Sequence, residues 1–181
     1  MEERIARVVE VFGEVGARWA LVGGHAVGVL TEARATDDFD FVLEDRKLGA
    51  VMDRLREVFG PLDVTDIGAA VRVLNLDIDL IRSTAHPLFA RALEETQPVQ
   101  AWRIPPAEVV IALKFLSSLS AWRGIERRRQ DVLDLIRVYT AAGERLDLAR
   151  LLKLASEVYP GAERELASLL DRVDRGEPIT I

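Results

Sequence analysis

Two runs decide how this chain reads: Leu21-Val22-Gly23-Gly24-His25-Ala26 and, a short way on, Arg34-Ala35-Thr36-Asp37-Asp38-Phe39-Asp40-Phe41. The first ends an apolar strand, Trp19 to Val22, at a glycine pair, and small residues from His25 to Leu30 then continue as helix. The second leads into a strand from Phe39 to Leu43 whose opening alternates acidic and apolar residues. Residues two apart on a strand project from one face, separated by ~6 to 7 Å. Asp38 and Asp40 therefore form a carboxylate pair, while Phe39 and Phe41 turn to the core. Such a pair repels itself unless a cation neutralises it.

Outward from these runs, Ile5, Val8, Val9, Phe12 and Val15 recur at helical spacing before the first strand, from Glu2 to about Gly16. After the second, Leu48, Val51, Met52, Leu55, Val58 and Phe59 mark a helix from Lys47 to Phe59, stopped by Gly60-Pro61. Val71 to Ile81 reads as a further strand region, with Leu74, Leu76, Ile78 and Leu80 on one parity and Asn75, Asp77 and Asp79 on the other. Past Ser83 the chain turns mostly helical, with helices expected at Pro87–Glu95, Ala107–Ser120, Arg128–Ala142, Leu146–Tyr159 and Ala162–Arg175. The pattern predicts an α+β core over residues 1–83 and a mainly helical region over residues 84–181 packed on it.

Composition narrows the chemistry. The 181 residues are 49% hydrophobic and 30% charged, the balance of a chain that folds around a core. Cysteine is absent, which excludes disulfides, thiolate metal sites and thiol catalysis and fits a reducing cytoplasm. No apolar run nears the ~20 residues of a membrane helix, and Met1-Glu2-Glu3-Arg4 does not open a signal peptide, so a soluble cytoplasmic protein with no membrane partner is expected. A net charge of -6 argues against non-specific coating of nucleic acid. Arg123, Arg127, Arg128 and Arg129, near Trp122, form the one basic cluster, readable as a solvated helix end or as an acceptor-binding patch.

The acids and glycines combine into a chemistry. Backbone N–H groups of a Gly23-Gly24 turn at a helix start can approach phosphate oxygens, and the helix dipole favours the anion. Magnesium takes oxygen ligands and keeps positions for water and substrate phosphate, which suits Asp38 and Asp40. A third acid from another strand, Asp77 or Asp79, would complete a site for two ions ~3.5 to 4 Å apart, clamping the attacking and leaving oxygens of a phosphoryl displacement.

On these same residues the chain resembles the DNA polymerase β-like nucleotidyltransferase superfamily. In its Arg34-x-Thr36-x-Asp38-x-Asp40 form it is similar to the AbiEii-type and related minimal nucleotidyltransferases, several of which are toxins of toxin-antitoxin pairs. The resemblance implies a nucleotidyltransferase-type mixed β-sheet with flanking helices. It also implies transfer of a nucleoside monophosphate from a nucleoside triphosphate to a hydroxyl acceptor, RNA or protein, with a cognate antitoxin as partner. It assigns Gly23, Gly24, His25, Arg34 and Thr36 to the nucleotide, and Asp38, Asp40 and, as the better match to the pattern, Asp79 to catalysis and magnesium. His25 replaces the serine found in many members. A looser match, Lys114 within an apolar helix and Arg129-Gln130-Asp131 in the next, implies that Lys114 meets nucleotide phosphate and Asp131 orients it, with Gln130 in place of the usual lysine. Aminoglycoside-type antibiotic nucleotidyltransferases and a catalytically silent nucleotide- or partner-binding module are the rival readings.

Overall fold

The computed structural model describes residues 3–32, 36 and 38–179. Helix α1 (Glu3–Val15) buries Ile5, Val8, Val11 and Phe12, so its inner face is turned toward Val11 rather than Val9. Strand β1 (Trp19–Val22) is buried along its whole length and passes directly into α2 (Gly23–Leu30). Strand β2 (Phe39–Leu43) buries Phe39, Phe41 and Leu43 and leaves Asp40 half-buried. Helix α3 (Leu48–Phe59) ends where Gly60, at φ 80°, takes a conformation that costs glycine nothing.

Between α3 and the helical half lie three strands, β3 (Val64–Asp66), β4 (Ala70–Val73) and β5 (Ile78–Arg82). The single strand region expected from Val71 to Ile81 is therefore two strands. A 3-10 turn over Leu74–Leu76 separates them, and Asp77 closes it in the left-handed conformation at φ 52°. The unbroken leucine alternation hides this turn, because the tight helical turn buries Leu76 while exposing Leu74.

Helix α4 (Pro87–Glu94) starts with proline in its first turn, and the His86 ring accepts the Leu88 amide at 3.1 Å, so His86 is an N-cap. A hairpin of β6 (Gln97–Val99) and β7 (Trp102–Ile104) follows. The remaining helices are α5 (Ala107–Ser118), α6 (Ile125–Ala142), α7 (Leu148–Ala155) and α8 (Ala162–Asp174).

The chain forms two compact units, Met1–His25 with Arg34–Pro105, and Ala26–Ala33 with Pro106–Ile181. In the first, a five-stranded sheet runs in the order β1-β2-β5-β4-β3. Only β2 and β5 are parallel; the other neighbouring pairs are antiparallel, which makes the sheet mixed, as expected for an α+β fold. Its core gathers Phe12, Trp19 and Phe41, with Phe12 edge-on to Phe41 at 5.3 Å and Trp19 edge-on to it at 5.8 Å. Truncating Phe41, wholly buried among these rings, would cost about 3–5 kcal/mol. In the second unit α5 packs against α6 and α7, and α7 against α8. No helix among the described residues is long and apolar enough to cross a membrane.

Candidate active site

The mixed sheet places acids side by side because of one register. In the parallel pair β2/β5, Asp40 stands opposite Asp79, and in the antiparallel pair β1/β2, Val22 stands opposite Asp40. Neighbouring strands lie ~4.8 Å apart, and residues in register on adjacent strands share a face. Asp40 and Asp79 are thus immediate neighbours on the half-exposed face, whereas Phe39, Phe41, Ile78 and Leu80 are buried on the other. Asp38 lies immediately before β2 and is exposed.

Gly23 closes the site on the β1 side. It has φ 65°, and a methyl group built on it would lie 1.8 Å from Oδ2 of Asp40. Only glycine satisfies both the positive φ and this approach. The Asp40 carboxylate consequently rests directly against the first residue of α2, the positive end of that helix. The His25 ring, in the first turn, stacks on Phe39 with centroids 3.5 Å apart and planes 9° from parallel, so its orientation is set by the same strand that carries Asp40.

Asp77 has a different position from Asp79. Instead of sharing the strand face, it sits in the left-handed turn, ion-paired to Arg4 at 2.9 Å, with its carbonyl accepting the Phe39 amide. It holds α1 and β2 in place and leaves Asp79 as the β5 acid beside Asp40.

Arg72 is the side chain that the sequence does not reveal. It faces Asp79 across the antiparallel β4/β5 pair, with Nε 3.3 Å from Oδ2. Within Val71-Arg72-Val73 it reads as one outward residue of an alternating strand; only the register shows what it meets. Thr36 is half-buried outside regular structure, and Arg34 lies outside the described residues.

Lys114 and Asp131 belong to the helical unit and form a cluster of their own. Lys114 Nζ lies 2.9 Å from Oδ1 of Asp131 and 2.8 Å from Oδ2 of Asp134, and all three residues are buried. Arg123 meets the second Asp131 oxygen at 3.0 Å, and Gln130 donates to Asp134 at 2.9 Å. Gln130, standing in place of a lysine, thus serves the network as a neutral donor.

Among the described residues no group of three or more histidine, aspartate or glutamate side chains is gathered as a metal cluster. The two acids in register at the sheet end, Asp40 and Asp79, are nonetheless oxygen donors. That donor set fits magnesium, which is bound through one or two protein carboxylates and completes its shell with water and phosphate.

No family model and no curated protein sequence matches the chain. Solved structures do share its fold. The crystal structure of ANT(2'')-Ia in complex with adenylyl-2''-tobramycin superposes with a TM-score of 0.59 at 14% identity, covering 90% of this chain and 96% of that one. The solution structure of the antibiotic-resistance factor ANT(2'')-Ia gives 0.55 at 15% identity, covering 96% of each chain. JHP933 from Helicobacter pylori gives 0.52 at 18% identity, covering 86% of this chain and 70% of that one. The chain therefore has the nucleotidyltransferase-type fold, a mixed sheet with flanking helices.

Proposed function

We propose that this protein is a magnesium-dependent nucleotidyltransferase that moves a nucleoside monophosphate from a nucleoside triphosphate to a hydroxyl acceptor. The observation that carries the reading is the register of Asp40 with Asp79, beside a glycine that admits only a bare backbone against Asp40. The acceptor oxygen attacks the α-phosphorus, the bond from that phosphorus to the bridging oxygen breaks, and pyrophosphate leaves. Asp38, Asp40 and Asp79 would hold magnesium, which when bound neutralises phosphate charge and lowers the barrier to in-line displacement. Gly23, Gly24 and the start of α2 direct backbone N–H groups at the triphosphate. His25, fixed on Phe39, Arg34 and Thr36 add side-chain contacts to it. In this reading Asp79 takes the acceptor proton as the new ester forms.

Lys114 is proposed as a phosphate ligand. An ammonium has three donors, and the carboxylates of Asp131 and Asp134 engage two of them, orienting the third. This role rests on the motif resemblance, and the buried network supports only the orientation.

The acceptor is read as RNA or protein, in a toxin-like cytoplasmic enzyme with a cognate antitoxin, on the AbiEii-like motif. The likeness to ANT(2'')-Ia, solved with an adenylylated aminoglycoside, favours a second reading in which the acceptor is an aminoglycoside hydroxyl. An acidic chain of net charge -6 suits such a polycation. Incubation with each α-labelled nucleoside triphosphate, magnesium and, separately, total RNA, total protein or an aminoglycoside panel decides between them. Label entering RNA or protein supports the first reading, and label entering an aminoglycoside supports the second. Absence of transfer in every arm contradicts the enzyme.

A further inference from the structure

We infer that the connection between α5 and α6 docks single-stranded RNA, with Trp122 as a stacking platform and the arginines around it as phosphate contacts. The choice of RNA rests on the RNA-acceptor branch of the proposed function; the chemistry of the surface is read from the helical unit alone.

Trp122 is 98% exposed, in the turn that joins the two helices. Leu119 and Ile125, on either side of it, are exposed as well. Trp19 and Trp102, by contrast, are buried and half-buried, as so large an apolar ring ordinarily is. The turn that presents Trp122 is built into the unit. The Arg123 amide donates to the Ser120 carbonyl at 3.1 Å, and Arg123 Nε meets Oδ2 of Asp131, the buried acid of α6, at 3.0 Å. The indole is thus held out to solvent beside a residue anchored in the core.

Charge identifies the partner. Helix α6 opens Ile125-Glu126-Arg127-Arg128-Arg129, with arginines at the end where the helix dipole favours acids, so these cations do not serve the helix. Glu126 engages Arg129 at 3.2 Å and Asp131 engages Arg123, but among the described residues no carboxylate is paired with Arg127 or Arg128. A chain of net charge -6 therefore gathers positive charge around an exposed ring. A polycation is repelled by this surface. An acidic peptide would satisfy the arginines and leave the indole with no flat partner, and a duplex keeps its base faces stacked inside. A single strand offers both phosphates and open base faces, which indole and guanidinium planes accept whatever the sequence.

The test is binding of a short fluorescein-labelled RNA strand of mixed sequence to the full-length protein, followed by anisotropy over a range of salt concentrations. Trp122→Ala should weaken binding roughly tenfold. Trp122→Phe, which keeps a ring, should lose less, whereas Trp122→Leu, which keeps apolar bulk without a π-face, should be as weak as alanine. Arg127→Gln should reduce the slope of log affinity against log salt by about 0.7. Arg164→Gln, at an exposed position of α8, should bind as wild type. All of these side chains are exposed, so each variant should keep the wild-type Tm. A Trp122→Ala protein that binds as wild type, Trp122→Leu equal to Trp122→Phe, or tighter binding of a duplex or of a DNA strand of the same sequence overturns the inference. Transfer of label from nucleoside triphosphate to RNA keeps its failure apart from that of the parent reading. Label entering RNA while Trp122→Ala binds normally overturns this surface and leaves the RNA acceptor standing; no strand binding together with no label in RNA overturns both.

Discussion

The sheet end and the buried network of the helical unit use the same residue types to opposite purposes. Around Lys114, two carboxylates meet two cations, each acid has a direct partner, and the side chain of Asp134 is 0% exposed. At the sheet end, Asp40 and Asp79 stand in register, Arg72 meets Asp79 from β4, and Asp38 is exposed while the other two acids are only partly buried. A balanced network is complete when the chain folds. Under the proposed function, the sheet-end acids are instead completed by a bound cation and the phosphates that accompany it. On that reading, burial separates structural from functional charge, since neither composition nor helix or strand context does so.

Mutation should separate the regions as mirror images. Asp40→Asn removes one negative charge from a crowded site with little change of volume. Transfer should fall roughly a hundredfold or more, while the Tm of the metal-free protein stays level or rises because carboxylate repulsion is relieved. Lys114→Met should do the reverse to stability, removing the buried cation that Asp131 and Asp134 share, at a cost of about 3–5 kcal/mol. That corresponds to a fall of roughly 6–20 °C in Tm for a chain of this size. Lys153→Met, on α7, should leave both Tm and the nucleotide KM unchanged. Below its lowered Tm, the Lys114→Met protein should also show a raised nucleotide KM if Lys114 meets phosphate; an unchanged KM would make the network purely structural.

Gly23→Ala comes next in size and touches only the sheet end. A Cβ 1.8 Å from Oδ2 of Asp40 forces the carboxylate or the turn to move, on top of a positive φ that alanine resists. About 1–3 kcal/mol of stability should be lost, together with transfer activity. Retained transfer would show that Asp40 does not act from the position seen against α2.

Much of this arrangement is legible in sequence. Trp19–Val22 and Phe39–Leu43 identify their strands to the residue, because an apolar run and an alternating start are local signals, whereas Gly23 and Gly24, read as a turn, already form the first residues of α2. The acids of the proposed site stand out for the same reason. Non-local features were hidden. Leu74, Leu76, Ile78 and Leu80 alternate straight through a turn that a left-handed aspartate makes, where glycine would have announced it. Strand β3 is three exposed residues long, and the β6–β7 strands are three each, too short for periodicity to register. Arg72 and Asp134 acquire meaning only through the residues opposite them.

The smallest effect concerns neither charged region but the strand edge. Arg82 binds Asp66 through both oxygens, and the Gly68 amide donates to it as well. The Arg82 hydrogen bond first, then that amide, holds the Asp66 carboxyl below its ordinary range. A carboxylate with a lowered folded-state pKa adds stability above its unfolded value, near ~4, and this is lost as pH falls through the folded value. Asp66→Asn should therefore lower Tm slightly at neutral pH, with the two Tm curves converging as the pH is taken below 4. A constant gap down to the lowest pH would mean that the pair contributes by packing alone.

The proposal that the sheet-end acids take up magnesium with nucleotide is tested most directly by thermal denaturation with and without magnesium and a non-hydrolysable nucleoside triphosphate. At about a hundredfold excess over Kd, a ligand specific to the folded state adds about 2.7 kcal/mol, or roughly 5–11 °C in Tm here. Wild type should show that rise only with both components present, and Asp40→Asn should show none. A wild-type Tm unmoved by any nucleotide with magnesium, or an Asp40→Asn protein that rises equally, would contradict the account.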